Sequence, residues 1–452
     1  MKNNIFSKPI MANITGTFAR WNRPVAVDPA QVNNLSEILS VSRETSSLLL
    51  RRTAGRISPA VDLWAGEYPF PGAISLPGIE ESVHRLGQAV GSQEHVLVYS
   101  DFDADGITSA VILKEVLEFA GIRNVTVFFP CRFQDGYGFH PGLIDGFHMQ
   151  GVNLIITADC GITGWDACDK AKSLGIDVII TDHHRIGPYL PEALSIINPQ
   201  LPSWKPFELQ GLSGAGVAYL LARAFLEEKG LMDEIPRDWA IDMLALSIAG
   251  DGQPVTGLNR VWVKEGLNVL QQARRPGILA LLCVSGIFRI KEGYRQHGGT
   301  VSDRASTQGL VDFDAGDEQA FNDRVEVRDL EFERDVMFGL VPRINAAGRL
   351  SHAGRAFELL CESNLHRAFE IAAGLDKLNR QRRSIEQAML EECYKTIDSL
   401  APVRTAGDEL SPCEEAAVTL HMGSTHLLLC GQVQGCQLSY NIPRAWLARC
   451  CV

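Results

Sequence analysis

Carboxylates and imidazoles recur where apolar runs stop in this chain. Asp101, Asp103 and Asp105 follow HVLVYS, Asp159 follows NLIITA, and Asp182-His183-His184 follow DVIIT. Asp251 sits between two glycines after the apolar segment Trp239 to Ile248. Oxygen and nitrogen ligands of this kind suit Mn²⁺ or Mg²⁺ better than thiolate-seeking zinc. Alternate side chains of an extended segment share a face, so Asp101, Asp103 and Asp105 are expected to present three carboxylates to one space. Like charges so close repel unless a cation sits among them. A helix N-cap followed by a solvated acidic turn is the plainer account of the same three residues, and a strand-end Asp such as Asp159 is often a cap. Two adjacent imidazoles after a buried strand are harder to assign to packing. One can serve a metal while the other meets a water or a phosphate, with Asp182 orienting an imidazole. Jointly these groups read as a dinuclear site, in which two divalent cations about 4 Å apart stabilise both oxygens of an in-line displacement at phosphorus. Phosphoester hydrolysis is the expected reaction class.

The elements that must position these groups are legible in the same stretch. Short apolar runs bounded by turn signals alternate with helical patterns, such as Thr108 to Ala120 and Trp165 to Leu174, which predicts parallel strands in βαβ units. A helical pattern from Gly78 to Gly91 leads into the first strand, and the alternation runs to about Pro199. Ligands in such α/β sheets bind beyond the carboxyl ends of the strands, where these Asp and His residues fall. The glycine-rich segment Gly211 to Gly216 opens a long apolar helix reaching Glu228. The first 60 residues are polar and mixed, with one helix expected around Asn34 to Arg52. Tyr294 to Glu333 reads as a polar insertion or surface subdomain, and after Arg349 the chain is expected to be helical for about 45 residues. Arg380, Arg382 and Arg383 in that helix could line a channel, although a charge run is more often a solvated helix face, and they are left out of the site.

The 452-residue chain is too long for one core and predicts two or three domains. No run of about 18 apolar residues is present, which argues against a transmembrane helix, and the N-terminus has no apolar signal segment. A cytoplasmic protein without membrane association is the expectation. Eleven cysteines form no CxxC pair, so neither a disulfide framework nor a structural zinc site is suggested. A net charge of −12 is a poor footprint for coating duplex DNA by bulk electrostatics, although it leaves room for a basic channel.

The segments DFDADGITSA, ITADCGI, TDHH and GDGQPVTGLNR, in this order, resemble motifs I to IV of the DHH phosphoesterase superfamily. RFQDGYGFH, IINPQ, GLSGAGVAYLLARA and PRINAAGRLSHA narrow the resemblance to the RecJ-type single-stranded-DNA-specific exonucleases, over roughly Leu49 to Glu392. The resemblance implies metal ligands at Asp103, Asp105, Asp159, His183, His184 and Asp251, with Asp101 and Asp182 adjacent or supporting. Asp105, Asp159, His183 and His184 would be catalytic. It implies 5′ to 3′ cleavage of single-stranded DNA in recombination and repair, dependent on Mn²⁺ or Mg²⁺, with a single-strand-binding protein or a helicase as partner. Arg132 matches a family arginine that meets the 5′-phosphate, as its guanidinium fork could on a glycine-rich loop. Arg343, Asn345 and Arg349, around Ala346-Ala347-Gly348, would position the strand rather than read bases.

The fold expectation is an α/β parallel-sheet DHH domain with flanking helices, a long connecting helix and an incomplete C-terminal region. Residues 1–70 are assigned to an N-terminal helical region, 71–350 to the catalytic domain, 351–400 to the connecting helix and 401–452 to an atypical tail. Two departures from the family pattern stand out. Gly252-Gln253 follows Asp251 where an apolar pair is usual, and Val403 to Val452 shows neither a DHH-associated domain nor an oligonucleotide-binding fold. Five cysteines crowd that tail, as a frameshifted or prematurely ended reading frame would produce. Two other functions compete: a phosphodiesterase for short oligonucleotides or cyclic dinucleotides, and a catalytically silent truncated protein.

Overall fold

The computed structural model describes residues 26–65, 76–204, 211–290 and 325–400. The tail from Val403, and most of the expected polar insertion from Tyr294, lie outside the described residues. The chain divides into two units, Met1–Pro69 and Phe70–Val452. In the first, α1 (Pro29–Leu39), α2 (Arg43–Arg52) and α3 (Ile57–Ala65) pack around Val32, Leu35, Leu50 and Ala60. The single helix expected here is two. Ser40 takes a left-handed φ of 52°, ending α1, and Ser42 restarts the chain as N-cap by accepting from Thr45 N–H.

In the second unit, α4 (Ile79–Ser92) precedes β1 (His95–Ser100), α5 (Ala104–Phe119), β2 (Asn124–Phe128), α6 (Pro141–Met149), β3 (Val152–Ala158), α7 (Trp165–Ser173), β4 (Asp177–Thr181) and β5 (Ser195–Ile197). The five strands are parallel in the order β2-β1-β3-β4-β5. Alternate side chains serve opposite faces. Leu97, Tyr99, Ile155, Val178 and Ile180 join Phe139, Ile144, Phe147 and Ala171 from the α6 and α7 side. The intervening Val96, Val98, Leu154, Ile156 and Ile179 are buried on the other face, which α5 and α8 (Gly214–Lys229) cover. The reversal of strand order between β1 and β3 creates a crevice at their carboxyl ends.

The chain continues through α9 (Ile241–Gly250), α10 (Gly257–Gln272), α11 (Pro276–Val284), the short antiparallel pair β6 (Arg289–Ile290) and β7 (Val325–Glu326), and a π-helical stretch, Phe332–Leu340. That stretch runs into α12 (Val341–Leu350), followed by α13 (Gly354–Cys361) and α14 (Leu365–Leu400). The connecting helix expected over 351–400 is thus two helices. Glu362 is extended, and Asn364 starts α14 by accepting from Arg367 N–H. Gly277 lets α11 meet α13, since a Cβ there would lie 1.9 Å from the Leu359 carbonyl oxygen.

One ion cluster ties α5, α9 and α11. Arg275 Nε donates to Asp242 at 2.8 Å, its two terminal nitrogens reach Glu115, and Trp239 Nε1 donates to Glu115 at 2.9 Å. Arg275→Ala would leave the nearly buried Asp242 carboxylate without its cation. The expected loss is roughly 3 kcal/mol of unfolding free energy; an unchanged urea midpoint and slope would contradict this account.

Candidate metal centre

The ladder of the sheet runs one residue past each strand and sets three aspartates in line. Asp101 N–H donates to the Ala158 carbonyl, Asp159 N–H to Thr181 and Asp182 N–H to Ile197, at 3.0–3.1 Å. The register Ser100 to Ala158 to Thr181 to Ile197 therefore carries over to Asp101, Asp159 and Asp182. Asp159 holds a left-handed φ of 61°, a strained setting for a residue with a Cβ. Gly161, at φ 107°, completes this turn.

The DFDAD segment is not a continuous extended run. Asp103 is the N-cap of α5 and accepts from Asp105 N–H and Gly106 N–H, so the plainer capping account holds for it. Asp105 falls in the first helical turn. The cap and the cluster coexist because the turn folds all three carboxylates over the strand ends. Gly106 permits this: a Cβ there would sit 2.4 Å from the Asp101 carbonyl oxygen.

Asp105 is fully buried and accepts from three donors: Gly214 N–H at 2.7 Å, Ala215 N–H at 2.8 Å and the Ser247 hydroxyl at 2.7 Å. The first two are unsatisfied amides at the N-terminus of α8, where the helix dipole favours an anion. The glycine-rich segment thus holds one of the chain's own carboxylates. Gly214 also borders Asp159, whose Oδ1 would lie 2.6 Å from an added Cβ.

His183 and His184 divide their roles. His183 Nε2 faces Asp159 at 3.1 Å, Asp105 at 3.5 Å and Asp251 at 3.6 Å. His184 Nδ1 lies 2.8 Å from Asp182 Oδ1, and its Nε2 lies 3.2 Å from the Tyr137 hydroxyl. The Asp182 hydrogen bond pushes the His184 imidazole up to about 9. Burial works against the Asp182 carboxylate, yet the His184 hydrogen bond holds it below the usual range. Asp182 thus supports an imidazole, as expected from sequence.

The ligand atoms of Asp159, His183 and His184 lie within 4.8 Å of one another, as do those of Asp105, His183 and Asp251, and those of Asp101, Asp103 and Asp159. Two members, Asp159 Oδ1 and His183 Nε2, are buried without an aligned hydrogen-bond partner. A carboxylate oxygen and an imidazole nitrogen that face each other at 3.1 Å without an aligned hydrogen bond fit a shared divalent cation. Burial, then the neighbouring Asp103, pushes Asp101 up to about 8. Burial is also the main cause raising Asp105 to about 6 and Asp159 well above the carboxylate range.

The arginines expected to position a strand separate. Arg343 donates through Nε to Asp376 at 2.9 Å and through Nη1 to the Gly339 carbonyl at 2.6 Å, so it braces α12 against α14. Asn345 Oδ1 accepts from Ala104 N–H at 2.7 Å, pinning α12 to the first turn of α5. Gly348 makes that approach possible, with the Phe102 carbonyl oxygen 2.4 Å from an added Cβ. Arg349 instead neighbours Arg132 and Arg382. Burial, then those two guanidiniums, lowers its pKa, while Asp103 opposes. Arg132 lies over the Phe102 ring at 5.3 Å, and Phe102 packs edge-on to Tyr137. Arg382, part-buried, pairs with Glu386 one turn on at 2.9 Å, while Arg380 stays exposed and pairs with Asp376.

Without a cation these carboxylates oppose folding as they ionise. Folded values near 6 and 8 lie above the unfolded value of about 4, so their contribution to stability is present in acid and lost as pH rises through the folded values. A cation must displace the same protons. Mn²⁺ affinity is therefore expected to rise from pH 6 to pH 8, with proton release visible as a dependence of calorimetric heat on buffer ionisation enthalpy. A pH-independent affinity with no proton release would refute the assignment.

Residues 95–248 match the DHH family, N-terminal domain. The chain is 31% identical over 390 residues to the single-stranded-DNA-specific exonuclease RecJ of Bacillus subtilis (strain 168), covering 86% of this chain and 43% of the relative. It is 34% identical over 336 residues to the Escherichia coli (strain K12) RecJ, covering 72% and 51%. It thus spans about half the length of these curated relatives. Among solved structures, an exonuclease RecJ bound to manganese aligns with a TM-score of 0.56 and 29% identity, covering 71% of this chain and 70% of that one. RecJ from Thermus thermophilus in complex with Mn²⁺ aligns with a TM-score of 0.61 and 27% identity, covering 81% and 46%. With its ordered motifs, its parallel sheet and its convergent Asp and His residues, the chain carries a DHH-family N-terminal domain over residues 95–248 and is similar to the RecJ-type exonucleases beyond it.

Proposed function

We propose that this chain is a divalent-cation-dependent exonuclease that hydrolyses single-stranded DNA from a 5′ end. The observation that carries the proposal is the buried pair Asp159 Oδ1 and His183 Nε2, 3.1 Å apart without an aligned hydrogen bond and shared among overlapping ligand groups. Asp101, Asp103, Asp105, Asp159, His183, His184 and Asp251 would hold Mn²⁺ or Mg²⁺, the ions bound by the solved RecJ relatives. Two such ions supply Lewis-acid stabilisation of charge on the attacking and departing oxygens of phosphate. The protein's own groups supply the rest. Asp182, against His184 Nδ1, orients that imidazole so that Nε2, on the Tyr137 side, is the nitrogen left to ligate. Asp105 is kept in place by the N-terminus of α8, and Asp159 by the ladder.

Arg132, Arg349 and Arg382 give the cluster a basic side that suits a 5′-phosphate and the backbone after it. The exposed rings of Phe133 and Tyr137 beside them offer flat surfaces on which unpaired bases can stack. Both features favour a single strand over a cyclic dinucleotide. The presence of every candidate ligand in one cluster favours an enzyme over a silent relative. A cytoplasmic role in repair and recombination, alongside a single-strand-binding protein or a helicase, belongs to the same proposal. Among the described residues, no helix is long and apolar enough to cross a membrane.

The direct test is Mn²⁺-dependent degradation of a 3′-labelled single strand by the full chain, with a matched duplex as control. Progressive trimming from the 5′ end is expected, and an intact strand under saturating Mn²⁺ would sink the proposal. His183→Ala or Asp105→Ala should lower turnover by on the order of a hundredfold or more, with circular dichroism confirming the fold. Arg132→Ala should spare Mn²⁺ binding but reduce the preference for a 5′-phosphate over a 5′-hydroxyl by roughly ten- to a hundredfold, the worth of one charge-assisted contact. Equal preference in parent and variant would remove Arg132 from that role.

A further inference from the structure

Among the candidate ligands Asp251 is placed least favourably. It is the C-cap of α9, at the negative end of the helix dipole, and its side chain is 29% exposed where that of Asp159 is 2% exposed. Neither the sheet ladder nor a helix N-terminus holds it. The turn that follows supplies a partner. Gly252 takes a left-handed φ of 64°, Gln253 N–H donates to the Ile248 carbonyl at 3.1 Å, and Pro254 ends the helix. This is the Schellman arrangement, in which the residue in Gln253's place often makes an apolar contact back to the helix. Here it carries a carboxamide. Gln253 Nε2 donates to Asp251 Oδ2 at 2.5 Å and lies 3.4 Å from His183 Nδ1. One side chain therefore touches two members of the same ligand group, Asp105, His183 and Asp251.

We infer that Gln253 is a positioning residue for the metal centre: its carboxamide donates to the Asp251 carboxylate and holds it beside the His183 ring, so that a cation meets an oriented carboxylate rather than a mobile one. The backbone half of the device is the helix cap, and the side-chain half is the amide. A group of this kind acts on affinity through orientation, because an unheld Asp251 would lose rotamer freedom on each binding event. The inference rests on the proposed cation-dependent function, and its test reads binding rather than turnover.

The test compares Gln253→Met, close in shape but without an amide, and Gln253→Leu with the parent, using the full chain without DNA. Mn²⁺ binding is followed by calorimetry and by loss of the free-ion paramagnetic resonance signal. Both variants are expected to bind Mn²⁺ about tenfold more weakly, with the melting temperature of the cation-free protein unchanged. The His183 imidazole nitrogen resonances should also shift in the cation-free variants. Parental affinity in both variants would overturn the role of Gln253 and leave the metal centre standing. A lowered melting temperature with unchanged Mn²⁺ affinity would mark a purely structural residue and likewise overturn it. Absence of Mn²⁺ binding by the parent would overturn the cation-dependent function and this inference together.

Discussion

The contact between Asp105 and the N-terminus of α8 is the interaction on which the rest of the site depends. A fully buried carboxylate is costly unless charge-assisted hydrogen bonds replace its water, and three donors converge here from two helices. The backbone amides of Gly214 and Ala215 are unsatisfied by the helix itself, so one arrangement meets the needs of both the helix end and the carboxylate. It also locks α5, α8 and α9 in mutual register, since Asp105 lies on the first, the amides on the second and Ser247 on the third. Glycine at 214 is required by proximity to Asp159 rather than by its own backbone angles.

Around that anchor the protein gathers more negative charge than its surroundings neutralise. Burial and mutual repulsion raise Asp101, Asp105 and Asp159, and Asp159 adds backbone strain. Each of these costs stability, of order 1–3 kcal/mol for the strained backbone alone. Such costs persist only where the surrounding structure over-determines the geometry, as the ladder does at Asp159. The arrangement is poised for cations, whose binding would relieve the repulsion that folding builds in.

The opposite side of the crevice is built by long-range contacts. Asn345 and Gly348 press α12 against the turn carrying the acidic residues, and Arg343 fastens α12 to Asp376 on α14. The polar residues of PRINAAGR therefore serve two ends. Arg343 and Asn345 are structural braces, whereas Arg349 joins Arg132 and Arg382 beside Asp103.

Alternation of short apolar runs with helical periods, and the fall of Asp and His at the run ends, sufficed to place a parallel sheet with a site along its carboxyl edge. Those features are local and periodic, so residue order alone carries them. The same order could not show that Asp103 caps a helix while its neighbours remain in the cluster, that Ser40 and Asn364 divide helices that looked continuous, or that Gly214 lends its amide to Asp105 across 109 positions. Nor could it tell the bracing Arg343 from Arg349, or reveal that Gln253 reaches His183 across 70 positions. Propensity and spacing are read along the chain. Which donor meets which buried carboxylate is settled by packing between elements far apart in sequence, where the desolvation of each polar atom must be met by a partner that only the folded chain brings near.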